Sequence, residues 1–510
     1  MSAGRHAVIV GVAQSVDRDE PSADSPSPQD RLAEVARQAL ADSGASGPVS
    51  ADTVAVVRLF SDSAPNYQSP FGKSDNYPLS LARRLGWQPA RLLYPVVGGN
   101  TPQALVNALA EKIAQGRSEV ALIAGVEAIR TSRRAAKLGL ALDWSETTGQ
   151  PPKIWGEMKW GCTGHEMAHG IAAPSEVYPL FETALMHAAA RTPQAHRQQI
   201  GELMARLSKV AADNPFAAQP VARSPEELIT PSTDNRLVAW PYTKFLNAND
   251  SVDQAAAVLM MSAERADALG VPPDRRIHLW GSAELTDKWF VSDRVAYDRS
   301  PAIERGAAAA LDQAGVGLDD IALFDLYSCF PSAVEIACQA LGLAQEDPRG
   351  LTVTGGLPYF GGPGNNYSLH AIAEMAARLR ARPTDLGLIT ANGWYLTKHA
   401  MAVYGARPPR QLYRRRDLRD LQTVIDTEPS PPVSEAPTGP ARIETYTVSF
   451  DRTGPSRAIL IGRLKADGAR FIANIPAEDA DALASLMAAD QVGQSIEVHT
   501  ERGRSRARLV

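Results

Sequence analysis

One pattern occurs twice along the chain and restricts its fold more than any other feature. Residues 32–60 and 303–327 each contain an amphipathic helix, a glycine, an acidic turn and an apolar strand. Each copy is followed by a glycine turn, another helix and another apolar strand, within residues 96–127 and 355–393. Apolar strands connected by helices are typical of parallel sheets covered on both faces. We therefore predict an α/β fold of two similar halves, whose glycine turns meet at the carboxyl ends of the strands, where ligands usually bind.

The rest of the chain predicts three additional regions. Residues 130–245 are rich in Trp, Met and His and favour a helical loop or lid domain. The stretch TEPSPPVSEAPTGP (427–440) has the composition of a linker. Five short strands follow, with a turn at Asp467-Gly468 and a helix near 478–488, which predicts a small antiparallel β-barrel. The predicted units are the first half (1–130 and 240–300), the loop domain (131–239), the second half (301–410), the linker (411–440) and the barrel (441–510).

Charge and cysteine content narrow the cellular setting and the partners. The 510 residues carry a formal net charge of −5, which gives no general attraction to nucleic acid or to anionic membranes. Only Cys162, Cys329 and Cys338 occur, which excludes a disulfide framework. The N-terminus lacks the pattern of a secretory signal, and no apolar run has the length of a membrane span. We expect a cytoplasmic protein with no nucleic-acid partner and no membrane partner.

Four motifs, in order and spacing, carry a resemblance to a known family. They are EVALIAGVEAI (119–129), ADNPFA (212–217), NDSVDQAAAVLMMS (249–262) and TGGLPYFGGPG (354–364). With the duplicated halves, they make residues 5–405 similar to the thiolase superfamily, in its sterol-carrier-protein-thiolase branch. The linker and β-domain resemble those of the type-1 thiolase-like proteins. The resemblance implies the duplicated α-β-α-β-α core of that superfamily, with a loop domain and an added C-terminal barrel.

The same resemblance implies that the usual catalytic groups are missing. Its nucleophilic cysteine falls on Gly99, its histidine on Gly362 and its second cysteine on Ala391. Thiolases need these groups to attack a thioester and to move an α-proton. Loss of a covalent nucleophile alone costs on the order of a million-fold in rate. Ordinary thiolysis or Claisen condensation is therefore not expected.

The backbone of a thioester-binding site is nevertheless expected to remain. Asn100, Thr101 and Pro102 provide an N-cap and a first-turn proline for a helix whose N–H groups favour a carbonyl oxygen or a carboxylate. The resemblance puts a second oxyanion-binding amide at Gly393. The predicted substrate-binding residues are Gly98, Gly99, Asn100, Gly361, Gly362, Asn392 and Gly393. We expect an acyl-CoA or related thioester of lipid or sterol metabolism as ligand, with coenzyme A as part of it and no bound cofactor.

Tyr327 and Cys329 are the two catalytic candidates, and each has an alternative structural interpretation. Residues 327–330 (YSCF) stand at the position of the thiolase motif Asn-Glu-Ala-Phe. The resemblance extends to thiolase-fold retro-aldolases that lack the cysteines and carry a tyrosine in this motif. Tyr327 is then either a base that starts carbon–carbon cleavage of a β-hydroxyacyl-CoA or a packed aromatic residue. Cys329 precedes a helix near Pro331 and is either an acyl-transfer thiol or a buried structural cysteine. If neither residue is catalytic, the protein is a non-catalytic binding or scaffold protein.

Two smaller patterns are assigned to structure rather than to chemistry. HEMAH (165–169) fits a zinc motif, but Gly170 and Pro174 leave too little helix, so we predict no metal site. The basic stretches 413–419 and 501–508 are interpreted as solvated arginines, with contact to the phosphates of coenzyme A as the alternative.

Thiolases are mostly dimeric or tetrameric, and an added domain can cover a subunit face; we expect a monomer or a homodimer.

Overall fold

The structure is a computed structural model that describes residues 5–510. Its strands, numbered along the chain, are β1 (Ala7–Val16), β2 (Thr53–Val56), β3 (Arg91–Pro95), β4 (Val120–Ala128), β5 (Ile154–Trp155), β6 (Leu237–Ala239), β7 (Tyr242–Thr243), β8 (Asp253–Ser262), β9 (Ile277–Thr286), β10 (Ile321–Asp325), β11 (Leu386–Gly393), β12 (Lys398–Gly405), β13 (Gly439–Phe450), β14 (Pro455–Leu464), β15 (Arg470–Pro476), β16 (Ser495–Glu501) and β17 (Arg504–Leu509). Its α-helices are α1 (Pro28–Asp42), α2 (Tyr77–Arg84), α3 (Thr101–Ala114), α4 (Ile129–Leu138), α5 (Gly164–Ala168), α6 (Pro174–Ala188), α7 (Pro193–Ala212), α8 (Pro225–Ile229), α9 (Ala263–Ala268), α10 (Pro301–Ala314), α11 (Pro331–Leu341), α12 (Tyr367–Ala381), α13 (Arg419–Thr427) and α14 (Ala480–Ala488).

The two halves join in one large sheet. Within the described residues its strand order is β10-β11-β12-β9-β1-β8-β4-β2-β3-β5. The prediction of parallel strands is correct for β2 with β3 and β4, and for β10 with β11. It is wrong for β1, β8, β9 and β12, which form only antiparallel pairs within the described residues. β11 and β12 are joined by the four residues 394–397, and so short a connection allows only an antiparallel pair.

The boundary between the halves differs from the predicted one. β9 lies within the predicted first half (240–300), but it pairs with β12 at eight positions and with β1 only at Val8 and Ile9. The second half therefore begins at β9, before residue 300. The order β9-α10-β10 then repeats β1-α1-β2, which explains the duplicated sequence pattern.

The helices form layers around this sheet. α3 and α12 pack against each other and against strands of both halves, in one shared apolar cluster. α1 covers β1, β4 and β8 on the outside of the first half. α10 covers β9 and β12 on the outside of the second. This is the predicted duplicated α-β-α-β-α arrangement.

The C-terminal strands form the predicted small barrel. β13, β14, β15, β17 and β16 follow one another, and β16 pairs again with β13 to close the ring. The pairs are antiparallel except for one parallel contact between Asn474 and Arg506. The loop domain adds β6 to the edge of β13 through Ala239 and Ser449.

The predicted linker contains regular structure. α13 lies within the predicted linker, residues 411–440, and ends where the proline-rich stretch 427–440 begins; its Ile425 packs against Leu285 and Ala302 of the second half. The prolines that define the linker follow this helix instead of interrupting it, so they do not prevent its formation. Among residues 5–510, no helix has both the length and the apolar character needed to cross a membrane.

Candidate functional site

The glycine turn of the first half connects β3 to α3. Gly98 has a φ of +152°, a conformation that favours glycine. The Thr101 hydroxyl donates to the Gly98 carbonyl at 2.7 Å and fixes the start of the helix. Asn100 is the N-cap residue, but its side chain accepts no capping hydrogen bond. The N–H groups of Gly99 and Asn100 have no partner among residues 5–510, so they are available to an acceptor.

The second half holds this turn in place. The Gly98 N–H donates to Oδ1 of Asn365 at 2.8 Å, and the Ser368 hydroxyl donates to the Gly99 carbonyl at 2.6 Å. Asn365 and Ser368 lie at the start of α12. The glycine turn therefore lies at the junction of the two halves.

Some of the predicted binding residues come together there and others do not. A Cβ built on Gly393 would overlap Oδ1 of Asn100 and would lie 3.2 Å from the Gly98 Cα. The C-terminal end of β11 therefore lies in contact with the glycine turn. Gly361 instead faces the Gln254 side chain, and the N–H of Gly362 donates to the Asn249 carbonyl at 2.8 Å. The turn is contacted instead by Asn365 and Ser368, which follow Gly361 and Gly362 along the chain.

Tyr327 fills the space beside Gly99, the residue on which the family resemblance puts the thiolase nucleophile. A Cβ built on Gly99 would overlap the Tyr327 hydroxyl oxygen and would lie 2.6 Å from the Asn392 carbonyl oxygen. The Tyr327 ring packs edge-on against Tyr367, with ring centroids 5.5 Å apart. Its hydroxyl has no hydrogen-bond partner within residues 5–510, although the side chain is only 8% exposed. Burial raises the pKa of Tyr327, so the group is a hydrogen-bond donor and not a tyrosinate.

Cys329 lies beside Asn392 but not in the environment of a reactive thiol. Nδ2 of Asn392 is 4.0 Å from the Cys329 sulfur and donates to the Tyr178 hydroxyl at 2.7 Å. Burial raises the pKa of the Cys329 thiol to about 12. Reactive cysteines have lowered pKa values, so this environment favours the structural interpretation.

Two side chains at this junction were missed by sequence reasoning. Lys398, the first residue of β12, pairs with Gly393 and donates from Nζ to the Val97 carbonyl. Burial lowers the pKa of Lys398 to about 8. Tyr178 enters from α6 of the loop domain and donates to the Trp394 carbonyl at 3.0 Å. A lone lysine at the start of the apolar stretch KHAMAVYG was the available signal for Lys398, whereas nothing marked Tyr178.

The HEMAH segment connects the loop domain to the barrel. Nδ1 of His169 lies 2.9 Å from the His165 carbonyl, and Nε2 accepts from the N–H of Ser505 at 3.0 Å. Glu166 accepts from the N–H groups of Ser292 and Thr163. Nε2 of His169 therefore makes the contact with the barrel, Nδ1 is engaged within the segment itself, and α5 is only five residues long.

A separate buried cluster contains Glu182, His196 and Glu335. Their potential ligand atoms lie within 4.8 Å of one another, between α6, α7 and α11. Both oxygens of Glu182 are already occupied, by Nε2 of His196 at 2.6 Å and by the Tyr242 hydroxyl. The proximity of Glu182 and, above all, burial raise the pKa of Glu335, which favours a protonated carboxyl group. The contacts describe a hydrogen-bonded cluster that connects the loop domain to the second half.

Three surface pockets lie elsewhere on the molecule. Their volumes are about 400, 370 and 320 Å³. The first is lined by Arg84, Trp144 and Glu146, and the second by Glu335 and Cys338. None of the three is lined by a predicted binding residue, so pocket size does not identify the glycine junction, which is distinguished by its unpaired donors.

Comparison with known proteins identifies relatives of the C-terminal domain and of the whole chain. A family model described as the thiolase-like protein type 1 additional C-terminal domain matches residues 420–502. This match includes nearly all of α13, so that helix is part of the added domain and not of a linker. A crystal structure of a monomeric SCP2-thiolase-like protein type 1 from Mycobacterium smegmatis is similar over the whole of both chains, with 36% identity and a TM-score of 0.85.

More distant relatives are similar to part of the chain. A 3-ketoacyl-CoA thiolase from Serratia proteamaculans is 30% identical over 159 residues, which is 28% of this chain and about a third (35%) of that enzyme. The structure of an Ltp2-ChsH2(DUF35) aldolase aligns with 81% of this chain and 100% of that one, with 20% identity and a TM-score of 0.56, and shows the fold alone. The thiolase core, the added C-terminal barrel and the end-to-end similarity agree: the chain belongs to the type 1 SCP2-thiolase-like proteins.

Proposed function

We propose that this protein binds an acyl-CoA or a related thioester at the glycine junction and does not carry out ordinary thiolase turnover. One observation carries this proposal: the Tyr327 hydroxyl occupies the space of the missing nucleophile at Gly99. A site that had only lost its cysteine would leave a gap there. Here a fixed hydroxyl group fills the position, while the N–H groups of Gly99 and Asn100 remain without partners.

The chemistry of the surrounding residues supports binding without an acyl-enzyme. Gly99, Gly362 and Ala391 offer no nucleophile, base or imidazole at the three positions implied by the family resemblance. Free backbone N–H groups near a helix N-terminus still favour an oxygen with partial negative charge, such as a thioester carbonyl. The ligand supplies the coenzyme A, and no further cofactor is required.

Relatives and charge support the setting that we propose for this activity. The likeness to thiolases supports a role with lipid or sterol thioesters in the cytoplasm, and the net charge of −5 gives no general attraction to nucleic acid. The Mycobacterium smegmatis protein is monomeric and similar along its whole length, so we propose a monomer here.

Calorimetric titration of the full chain with butyryl-CoA tests the proposal. We expect saturable binding, no release of a shortened acyl-CoA when free CoA is added, and weaker binding by Gly99→Val, whose side chain would overlap Tyr327. Gly164→Ala is the control, because a Cβ at Gly164 meets no atom within 4 Å. The proposal fails if none of several acyl chain lengths binds, or if thiolysis occurs at rates typical of thiolases.

A second candidate function is carbon–carbon cleavage of a β-hydroxyacyl-CoA. The unpartnered Tyr327 hydroxyl favours it, as does the fold shared with an aldolase. Because burial raises the pKa of Tyr327, this residue would donate a hydrogen bond to the substrate oxygen and would not act as the base. Acyl transfer through Cys329 receives no such support, since its thiol is protonated at neutral pH.

Product analysis separates the candidates. A lyase converts a β-hydroxyacyl-CoA into a shorter acyl-CoA and a carbonyl compound, and Tyr327→Phe lowers this rate by about 100-fold or more while substrate binding persists. An acyl transferase gives an acyl adduct that is detected by mass spectrometry and is lost in Cys329→Ala. A pure binding protein gives neither product, and substitutions at both residues change only affinity.

A further inference from the structure

A pocket of about 320 Å³ lies between the loop domain and the barrel. Arg197 of α7, Ile229 at the end of α8 and Trp240 line it from the loop domain. Met487 and Ala488, at the end of α14, line it from the barrel. Its volume falls within the range of small-molecule sites, which begins at about 300 Å³. Since α7, α8 and α14 provide none of the residues described at the glycine junction, this pocket is a separate site.

Arg197 brings a positive charge to this pocket, and no acidic residue among residues 5–510 lines it. Its Nη2 donates to the Ile229 carbonyl, whereas Nε is buried without a partner and Nη1 forms no hydrogen bond within the described chain. None of the ion pairs in that part of the chain includes Arg197. Burial alone lowers the pKa of its guanidinium group, with no contribution from a neighbouring charge. A partly buried cation in this state favours an anion from solution.

Most of the other lining residues are apolar and firmly packed. Trp240 is 4% exposed and stacks on Tyr446, with ring centroids 5.8 Å apart. Met487 packs against the same apolar cluster of the barrel. Pro193 and Ile229 add further carbon surface to the wall. A ligand that suits this wall has a hydrocarbon body next to its charged group.

We propose that this pocket binds a small carboxylate with an aliphatic tail, such as a medium-chain fatty acid, whose carboxylate pairs with Arg197 and whose tail packs on Trp240 and Met487. The planar guanidinium group of arginine matches the two oxygens of a carboxylate. A phosphate monoester carries up to about two negative charges, which a single cation does not balance. The ligand contacts both α7 and α14, so it should also stabilise the contact between the loop domain and the barrel.

Calorimetric titration and thermal unfolding of the full chain with octanoate test the proposal. Octanamide has the same tail without the charge, and acetate has the charge without the tail. We expect octanoate to bind about 10- to 100-fold more tightly than octanamide, as a hydrogen bond to a charged group predicts, and to raise the melting temperature. Acetate should show no saturable binding. Tighter binding of octyl phosphate than of octanoate would contradict the carboxylate assignment.

Two kinds of variant remove the site in different ways. Arg197→Met should abolish the preference for octanoate over octanamide, and Arg197→Lys should retain part of it. Ala488→Trp fills the pocket from an exposed position and should weaken the binding of both ligands by about 10-fold or more. Arg206→Met, at an exposed position of the same helix, is the matched control and should change neither affinity. Circular dichroism of each variant verifies that it is folded.

Competition distinguishes this pocket from the proposed thioester site. Octanoate affinity should be unchanged in the presence of saturating butyryl-CoA, and Arg197→Met should bind butyryl-CoA as the wild-type protein does. Displacement of octanoate by butyryl-CoA would place both ligands at the glycine junction and overturn this proposal. Failure of octanoate to bind, or a preference for octanoate that survives in Arg197→Met, would overturn it as well and leave the proposed thioester binding intact.

Discussion

At Gly99 the missing side chain is matched by a hydroxyl group from the other half of the molecule. The two substitutions belong together, because Tyr327 and a side chain at residue 99 cannot occupy the same space. Gly99 is therefore required by packing, whereas Gly98, with its positive φ, is required by the backbone conformation of the turn. This coupling explains why restoring one catalytic residue is not expected to restore a thiolase.

We predict that Gly99→Cys destabilises the protein and creates no thiolase activity. The new Cβ meets the Tyr327 hydroxyl and the Asn392 carbonyl, and overpacking of this kind costs about 1–3 kcal/mol. Urea unfolding measures the loss, and a thiolysis assay with acetoacetyl-CoA measures the activity. Gly164→Ala, with open space around its Cβ, should change stability by less than about 1 kcal/mol. Appreciable thiolysis by Gly99→Cys would contradict this account of the site.

Glu127 gives the stability of the protein a specific pH dependence. It lies near the end of β4, is 3% exposed and accepts one hydrogen bond from the Phe60 N–H at 2.7 Å. Burial raises the pKa of Glu127 to about 8. Between the unfolded pKa near 4.5 and the folded pKa of about 8, the folded state holds a proton that the unfolded state has lost. Within this window, the group makes stability fall as pH rises.

Glu127→Gln should reduce that dependence. In the wild-type protein, Glu127 lowers the free energy of unfolding by up to about 1.4 kcal/mol per pH unit between pH 5 and pH 8. Glutamine keeps an acceptor for Phe60 and has no proton to lose, so the variant should gain stability relative to wild type as the pH approaches 8. The free energy of unfolding at several pH values measures this, with the exposed Glu34→Gln as control. Parallel curves for wild type and Glu127→Gln would contradict the prediction.

Among the elements, β13 and β15 attach the barrel to the core. Arg470 on β15 has a fully buried side chain and forms ion pairs with Glu444 on β13. Its guanidinium also donates to the carbonyl groups of Ser292 and Arg294 in the segment after β9. Arg470 thus connects two strands of the barrel and also binds the barrel to the second half. Its loss would leave several buried groups without hydrogen-bond partners.

We expect Arg470→Met to lower the free energy of unfolding by about 3 kcal/mol or more, as removal of one partner from a buried pair does. Arg442→Met, at an exposed position of β13, should change it by less than about 0.5 kcal/mol. Limited proteolysis adds a second readout, because a loosened barrel should be cut faster between residues 428 and 438, where no helix or strand is formed. Equal cleavage rates for both variants would argue against a docking role.

At the scale of the whole molecule, one apolar cluster joins the barrel, the loop domain and the second half. Ile459, Ile461 and Ile472 of the barrel belong to the same apolar cluster as Phe181 of the loop domain and Phe330 beside the site. The barrel is therefore packed against the loop domain and the second half, which contributes Tyr327 and Gly393 to the glycine junction, and is not attached by a flexible chain alone. Tyr178, on the same helix as Phe181, extends this connection to Asn392.

Removal of residues 419–510 should consequently impair the remainder of the chain. The exposed apolar surface should cause aggregation or self-association, together with binding of a hydrophobic dye. Size-exclusion chromatography with light scattering compares the truncated and complete chains, and the complete chain should elute as a monomer. A truncated chain that stays monomeric with an unchanged melting temperature would show that the barrel does not stabilise the core.

The sequence by itself determined the order of the elements and the chemistry that is absent. Helical and strand periodicities placed α3, α12, β4, β11 and the barrel strands close to their observed positions, because local burial patterns set these elements. The family resemblance put glycine and alanine, Gly99 and Ala391, at the two positions where thiolases have cysteines. The position of β9, by contrast, depends on pairing between distant strands, which periodicity does not encode.

Only the tertiary structure decided what replaces the missing groups. Tyr327 and Gly99 are more than 200 residues apart, as are Lys398 and Gly98, and their contacts arise from packing two halves around α3 and α12. The lowered pKa of Lys398 likewise follows from burial in the assembled fold and not from any neighbouring residue in the sequence. Residue types identify which groups a site has lost, whereas the distances between groups from different halves exist only once the chain has folded.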